Sequence, residues 1–465
     1  QIRSSDGATL ALASAKYQTT NSALSEKVSV VSLTSKKQDV YSNGTYNYST
    51  SREYSYDKSF KNLIGIAVLN ENAAENYYTC IGYKDQGNPW WHGFYPISKK
   101  VSRKPISVCD SLWNPDTNLR SYQFAYDSSM NTIEQSAWND QLNQWASRSY
   151  TYDLYGNTTS STGPMGNTSH TEYDPVYHTF PQSHTLPLIS DTIAPLKVEM
   201  AFEPAFGTPV KYTDANGQTT MEIPEDGIDG FGRIVKLNGI QANSEELLPV
   251  LEQRFLKDAN KGLYSQIKQR REWQEDDPAQ WLTQNQYFDG LARAYSSQIQ
   301  GDTLKSILSQ KYYNNRGLVE KSTLPHYQNG NTHDSHYTYD IQGKLIKMDL
   351  PEQISSSLDY KATDQRIVTA YSPNPTDPAT GNSMVSTTTT VDNRGYTVKS
   401  VAQNDGITTA QYDPLGQMTK QTDPLGIQTT YAYNSLGQIT QTVNPELGTT
   451  AYLYKINGAL QSKTD

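Results

Sequence analysis

Short stretches in which apolar and polar residues alternate recur along the chain, and turn residues separate them. Residues 428–433 read Gln-Thr-Thr-Tyr-Ala-Tyr, and residues 438–443 read Gln-Ile-Thr-Gln-Thr-Val. A period of two, carried by Thr, Val and Tyr, predicts β-strand rather than helix. Between such stretches lie sequences like Asp423-Pro-Leu-Gly426, in which proline and glycine supply the backbone angles of a tight turn. The pattern predicts an all-β protein made of antiparallel hairpins.

The hairpins return at a fixed distance, which indicates a repeat architecture. Tyr412, Tyr433 and Tyr454 are 21 residues apart, and Tyr152 and Tyr173 show the same spacing. Less regular copies lie at 229–233, 288–293, 314–317 and 392–395. We expect the repeat turns to be formed by Tyr152, Asp153, Gly156, Tyr173, Asp174, Tyr339, Asp340, Gly343, Tyr412, Asp413, Gly416, Asp423, Pro424, Gly426, Tyr433, Gly437, Tyr454 and Gly458.

The composition agrees with a large β-structure and excludes several classes of protein. There are 34 Tyr against 9 Phe, and tyrosine suits a half-buried strand position where the ring packs and the hydroxyl finds a partner. A net charge of −9 without a basic block argues against binding of nucleic acid. The mean hydropathy is −0.71 and no stretch approaches 18 consecutive apolar residues, so we expect no membrane insertion by this chain.

Two cysteines, Cys80 and Cys109, are too few for a disulfide-rich scaffold or a thiolate zinc finger. They could pair across the 28 residues between them, but we expect ordinary thiols.

The Tyr-Asp-x-x-Gly turns at this period resemble those of the Rhs/YD-repeat superfamily, which includes bacterial Rhs proteins, Tc toxin B and C components, and animal teneurins. The resemblance is carried by residues 150–175 and 405–465. Within the superfamily, residues 173–181 and the Asp229-Gly-Phe-Gly-Arg233 copy look most like the B component of insecticidal Tc complexes. This implies a strip of β-sheet, spiralling into all or part of a hollow shell around a toxic C-terminal polypeptide. It also implies a secreted bacterial protein whose partners are the remaining shell, the toxin polypeptide and a delivery component.

The organisation along the chain follows from where the repeats lie. Residues 1–120 form a β-rich N-terminal region that is a candidate cap, and residues 121–465 form the repeat sheet. Asp465 is the first residue of a turn in mid-repeat, so we expect an internal fragment of a larger protein. Residues 243–256 could begin a helix at Asn243 or Ser244, but Pro249 inside the segment argues against it.

Candidate chemistry is sparse, and we expect no enzyme, cofactor or metal site. Relatives that cleave their cargo carry an Asp-Pro-x-Gly motif in a protease core. Here Asp413 and Asp423 lie on the repeat period, so we interpret them as turn residues. His326, His333 and His336 are close in sequence, but we interpret them as loop histidines, since positions three apart in a strand point to opposite faces. No nucleophile motif and no phosphate-binding glycine loop is present.

An aromatic cluster, Trp90, Trp91 and Tyr95, is the most distinctive feature outside the repeats. It could cover an open sheet edge, or it could form a patch that binds carbohydrate or protein. The second reading supports an alternative function, a cell-surface adhesion or recognition protein with the same repeats. An independent enzyme such as a glycosidase is a third alternative, although no catalytic constellation supports it.

Overall fold

The computed structural model describes residues 2–3, 9–22, 25–42, 45–57, 62–83, 95–105, 109, 114, 118–187, 195–240, 247–258, 260–270, 281–301, 305–340, 343–351, 355–360, 367–373 and 384–465. These residues form 36 β-strands and one short 3-10 helix, η1 (Ala73–Glu75), and they contain no α-helix. The prediction of an all-β fold built from antiparallel hairpins is confirmed.

The strands follow one another with few interruptions. The first run is β1 (Ile2–Arg3), β2 (Thr9–Ser22), β3 (Ser25–Ser42), β4 (Thr45–Tyr56), β5 (Leu63–Leu69), β6 (Tyr77–Tyr83), β7 (Pro96–Ser102), β8 (Asn118–Tyr126), β9 (Thr132–Asn139) and β10 (Gln144–Tyr152). The middle run is β11 (Thr158–Thr162), β12 (Thr168–Tyr173), β13 (Pro181–Thr185), β14 (Lys197–Glu203), β15 (Thr208–Thr213), β16 (Thr219–Glu222), β17 (Lys236–Ile240), β18 (Leu247–Asp258), β19 (Gly262–Arg270), β20 (Trp281–Phe288), β21 (Ala294–Gln300), β22 (Ser306–Tyr313), β23 (Val319–Thr323), β24 (His326–Tyr327), β25 (Asp334–Tyr339) and β26 (Leu345–Asp349). The last run is β27 (Ser355–Tyr360), β28 (Ile367–Pro373), β29 (Met384–Val391), β30 (Thr397–Ala402), β31 (Ile407–Tyr412), β32 (Met418–Thr422), β33 (Gln428–Tyr433), β34 (Ile439–Asn444), β35 (Gly448–Tyr454) and β36 (Leu460–Thr464).

Two compact units divide the chain. The first unit comprises residues 1–150, 162–166 and 357–465, and the second comprises residues 151–161 and 167–356. The predicted division at residue 120 is a different one and stays a prediction.

Neighbouring strands pair in antiparallel fashion, and most pairs join strands that are consecutive in the chain. The short strand β24 is an exception, because it pairs with β22 while β23 pairs with β25. Leu247–Asp258 is strand and not helix, and Pro249 lies opposite Asn238 where the register of β17 and β18 shifts. A proline is tolerated there because a bulge needs no ladder hydrogen bond from it.

A thin sheet leaves little apolar core. Among the described residues, the buried hydrophobic side chains are Cys80, Val101, Cys109, Ile223 and Tyr287, whereas buried Ser, Thr and Asn side chains are more numerous. The accessible surface is 28,577 Å², against about 17,500 Å² for a compact monomer of this mass. Main-chain ladders and turns therefore hold this fold together more than a hydrophobic core does.

In each unit the turns fall alternately on two edges of the sheet, because consecutive strands run in opposite directions. We call one the YD edge; its turns begin at Asp57, Asp127, Asp153, Asp174, Glu203, Asp229, Asp258, Asp289, Asn314, Asp340, Asp392, Asp413, Asn434 and Lys455. We call the other the far edge; its turns include residues 70–76, 139–143, 163–166, 214–217, 423–426 and 444–447.

Candidate functional site

The repeat turn is a compact hydrogen-bonded loop, and Asp413 shows how it is built. The Asp413 N–H donates to the Gln417 carbonyl at 2.8 Å, and the Gly416 N–H donates to the Asp413 carbonyl at 3.1 Å. The Asp413 carboxylate accepts from the N–H groups of Leu415 and Gln417 at 2.9 and 2.8 Å. Gly416 has a φ of 84°, which only glycine adopts without strain. The sequence Asp-x-x-Gly therefore encodes a turn followed by a glycine bulge.

The same arrangement recurs at the other turns. A side-chain oxygen accepts from the backbone two and four residues ahead at Asp127, Asp153, Asp214, Asp229, Asp289, Asn314, Asp423 and Asn434. The amide of Asn157 donates to Asp153, and this bond together with the backbone donors lowers the pKa of that carboxyl. Asp174 begins a longer turn and accepts four backbone N–H bonds, which likewise keep its pKa low.

The tyrosine before each turn closes a gap between neighbouring hairpins. Strands β32 and β33 are joined by a turn on the far edge, and their ladder ends at the Lys420–Thr430 pair. Beyond that pair, on the YD edge, the Tyr433 hydroxyl donates to the Met418 carbonyl at 2.7 Å. The hydroxyl thus satisfies a carbonyl that the ladder no longer reaches. Burial of the ring raises the pKa of Tyr433, so the hydroxyl stays protonated and able to donate.

This hydroxyl bond is a regular feature of the YD edge. Equivalent bonds to a neighbouring strand are made by Tyr56, Tyr83, Tyr126, Tyr173, Tyr313, Tyr339, Tyr412 and Tyr454. Phenylalanine could fill the same space but could not donate. The bond therefore gives a physical reason for the excess of tyrosine over phenylalanine.

Replacing Tyr433 with phenylalanine is expected to lower the free energy of unfolding of the first unit by about 1 kcal/mol, the usual net value of one hydrogen bond. Tyr431 lies two residues earlier on the same strand, and no hydrogen bond from its hydroxyl is found. Tyr431→Phe is therefore the matched control and should change stability little. Urea unfolding followed by tryptophan fluorescence measures both, and equal losses would contradict the role given to the Tyr433 hydroxyl.

Two turn glycines with the same backbone conformation separate strain from crowding. Gly426 has a φ of 83° and nothing near the position of an added Cβ, so Gly426→Ala should cost about 1–2 kcal/mol in strain alone. At Gly416 an added Cβ would overlap the ring of Tyr396, which is stacked on Tyr412 at 5.0 Å. Gly416→Ala should therefore cost about 1 kcal/mol more, because the ring must move. Urea unfolding compares the two, and equal costs would show that Tyr396 moves freely.

In the first unit the far edge of the first strand run meets the YD edge of the last run. The Ser435 N–H donates to the Asp140 carboxylate at 2.7 Å, and the Asp140 N–H donates to the Ser435 hydroxyl at 3.1 Å. The Gln141 amide donates to the Tyr452 carbonyl at 2.7 Å. Ser435 is 5% exposed. Two sheet edges distant in sequence are thus joined, as a spiralling strip requires.

Arg394 is the centre of a second contact between these edges. Its guanidinium lies 2.7 Å from the Asp392 carboxylate and 3.4 Å from that of Glu75, which belongs to η1. It also donates to the Asp413 carbonyl of the next turn at 2.7 Å. The Arg394 and Asp392 side chains are only 12% and 10% exposed. The Asn-Arg-Gly sequence had been assigned only to a decayed turn, so its role in joining the edges was missed.

The two Asp-Pro-Leu-Gly sequences are turns. The Asp413 carboxylate is used by the bonds given above, and the Asp423 carboxylate accepts from the N–H groups of Leu425 and Ile427, both within 2.9 Å. Asp413 lies on the YD edge and Asp423 on the far edge, so the sheet separates the two carboxylates. The expectation that the chain is not an enzyme stays a prediction.

Cys80 and Cys109 form a disulfide, so the expectation of ordinary thiols is wrong. The segment that follows β7 brings Cys109 back over strand β6, and the two Cα atoms lie 5.5 Å apart, a usual distance for a disulfide. Cys109 also borders a cavity of about 700 Å³ over strands β7 to β10, together with Lys100, Ser121, Trp138 and Trp145. The bridge therefore fixes one wall of that cavity.

The remaining candidate residues do not form a site. The His326 ring nitrogen lies 3.0 Å from the Leu324 carbonyl, and His333 and His336 are exposed. Within the described ranges, no group of three or more His, Cys, Asp or Glu side chains could hold a metal ion. Tyr95 packs edge-on against Tyr126 at 5.3 Å. Trp90 and Trp91 lie outside the described residues, so the cap and the binding patch both stay predictions.

No helix in the described part of the chain has the length and apolar character needed to cross a membrane.

Comparison with known proteins identifies the repeat and the fold. Residues 412–449 match the RHS repeat family model. Among curated proteins, none matches the chain significantly. The crystal structure of TcdB2-TccC3-TEV superposes with a TM-score of 0.74 at 13% identity, covering 99% of this chain and 33% of that one. TcdB2-TccC3 without its hypervariable C-terminal region gives a TM-score of 0.74 at 12% identity, covering 100% and 33%. The Tc holotoxin pore of Photorhabdus luminescens, with a mutation in TccC3, gives 0.73 at 13% identity, covering 99% and 32%.

This chain spans about a third of the length of those solved chains. The repeat turns lie where the family model matches, and the likeness in fold extends over nearly all 465 residues. The chain is therefore an RHS-repeat protein with the fold of the solved TcdB2-TccC3 structures.

Proposed function

We propose that this chain is a wall segment of a secreted, Tc-type toxin shell that encloses an effector polypeptide and helps to deliver it. The observation that carries the proposal is the repeated turn with its tyrosine bond, which builds a thin sheet whose edges join in the first unit. Such a sheet gains its stability from local bonds along its edges and needs no packed core on either face. It can therefore serve as a wall.

The polar faces of the sheet suit a wall around an unfolded polypeptide. Strands such as β29 and β32 consist mainly of Thr, Ser, Gln and Lys, and the described buried side chains are mostly polar. An apolar wall would bind an unfolded chain by burying its hydrophobic side chains. A polar wall keeps the passenger mobile and ready for release.

The disulfide supports a location outside the cytosol, because such bonds persist in oxidising compartments. The solved structures with this fold pair TcdB2 with TccC3, and one of them is a holotoxin pore. By analogy, we assign this chain a shell-completing partner, an effector and a delivery component, with no enzymatic role and no cofactor of its own.

Protease protection tests the proposal. The full-length protein, purified with its effector-carrying partner component, is treated with proteinase K while mass spectrometry follows the effector. The effector should stay intact until urea unfolds the wall, and the effector-carrying component alone is the control and should be digested. Digestion at equal rates with and without the full-length protein would overturn the proposal.

A further inference from the structure

The YD edge of the second unit carries an uncovered row of apolar side chains at its turn tips. Leu154 is 102% exposed, Val176 73%, Phe206 50%, Phe231 82% and Leu291 74%. These five residues belong to five turns, and all of those turns lie on the same edge. Scattered apolar residues on a surface are ordinary, but a row confined to one edge is not.

Contacts within and between these turns order much of the row. The Tyr155 ring stacks on His178 of the following YD-edge turn, with centroids 4.0 Å apart. Phe206 lies against Gly232 of the next such turn, where an added Cβ would overlap its ring. The Arg233 guanidinium lies 5.0 Å from the ring centroid of Phe231. The apolar tips are therefore held in place before any partner binds.

The first unit shows what covers this type of edge. There the YD-edge turn at 434–437 is bonded to the far-edge turn at 139–143, and Asp413, Asn434 and Ser435 are less than 10% exposed. The YD-edge turn at 392–395 is likewise joined to residues 70–75 of the far edge. In both contacts the covering element is a hairpin edge of the same type of sheet, in the same polypeptide.

We propose that the apolar row of the second unit, formed by Leu154, Val176, Phe206, Phe231 and Leu291, is a docking edge for the far edge of another stretch of repeat sheet. This stretch belongs to the same polypeptide and lies outside residues 1–465. Solved chains with this fold are about three times as long, so they contain enough chain to supply it. Such an edge-to-edge contact would be needed whether or not the wall encloses an effector.

Photocrosslinking in the full-length protein tests the docking edge. Benzoylphenylalanine is introduced at Phe231 and, separately, at Leu291, so that failure of one variant to fold leaves the other. After irradiation, peptide mapping should find each probe joined to a hairpin turn of the same polypeptide outside residues 1–465. The matched control places the probe at Tyr312, which is 41% exposed on strand β22 and away from the turn tips. The control should give no such product.

Three results would overturn the proposal. They are crosslinks to a separate polypeptide, crosslinks only within residues 1–465, and yields at positions 231 and 291 no higher than at position 312. The protease-protection experiment has a different readout, so enclosure can fail while the docking edge holds, and the reverse.

Discussion

Replacing Arg394 with methionine is expected to lower the free energy of unfolding of the first unit by about 3 kcal/mol, the cost of leaving a buried charge without its partner. Methionine keeps much of the side-chain volume but removes the guanidinium. Asp392, whose side chain is 10% exposed, then loses its counter-charge. The Asp413 carbonyl and Glu75 also lose their contacts with Arg394. Urea unfolding followed by tryptophan fluorescence measures the loss.

Arg233 is the matched control because its turn has the same chemistry without a second edge. Its guanidinium lies 2.6 Å from Asp229, but the two side chains are 43% and 22% exposed. Ion pairs that water reaches contribute less than about 1 kcal/mol, so Arg233→Met should have a small effect. Equal losses in the two variants would show that the edge contact adds nothing to the turn.

A double-mutant cycle isolates the contact between the two edges. Glu75→Gln removes the far-edge charge and leaves the Asp392 pair in place. If the edges are coupled through Arg394, the double variant should lose less than the sum of the single losses by about 1 kcal/mol. Exact additivity would contradict the coupling.

The repeat and its turns could be predicted from the sequence because both depend on local physics. Proline and glycine preset backbone angles, and an aspartate bonds the backbone ahead of it, so Asp413-Pro-Leu-Gly416 specifies its own conformation. Alternation then specifies the strands between turns. The fold class followed from these local rules.

The edge contacts could not be predicted, because no local rule pairs residues that are far apart in sequence. Asp140 and Ser435 are 295 positions apart, and neither stands out in its own hairpin. The tyrosine hydroxyl bonds were within reach, since each one joins a repeat tyrosine to the start of a neighbouring strand. The excess of tyrosine over phenylalanine was the signal, and it had been assigned to ring stacking alone.

The disulfide was missed because cysteine spacing gives no distance in space. The strands on either side determine whether two thiols can approach, and here the segment after β7 returns across β6. In a chain with only two cysteines and a small apolar core, one crosslink contributes a large share of stability. This makes Cys80 and Cys109 more important than their number indicates.

Reducing the Cys80–Cys109 bridge is expected to lower the free energy of unfolding of the first unit by about 3–4 kcal/mol, the loop-closure value for a loop of this length. Urea unfolding with and without dithiothreitol measures the effect. The double variant Cys80→Ala, Cys109→Ala should match the reduced protein and should not respond to dithiothreitol, since the chain contains no other cysteine. If thiol titration of the native, unreduced protein found two free thiols, the bridge itself would be disproved.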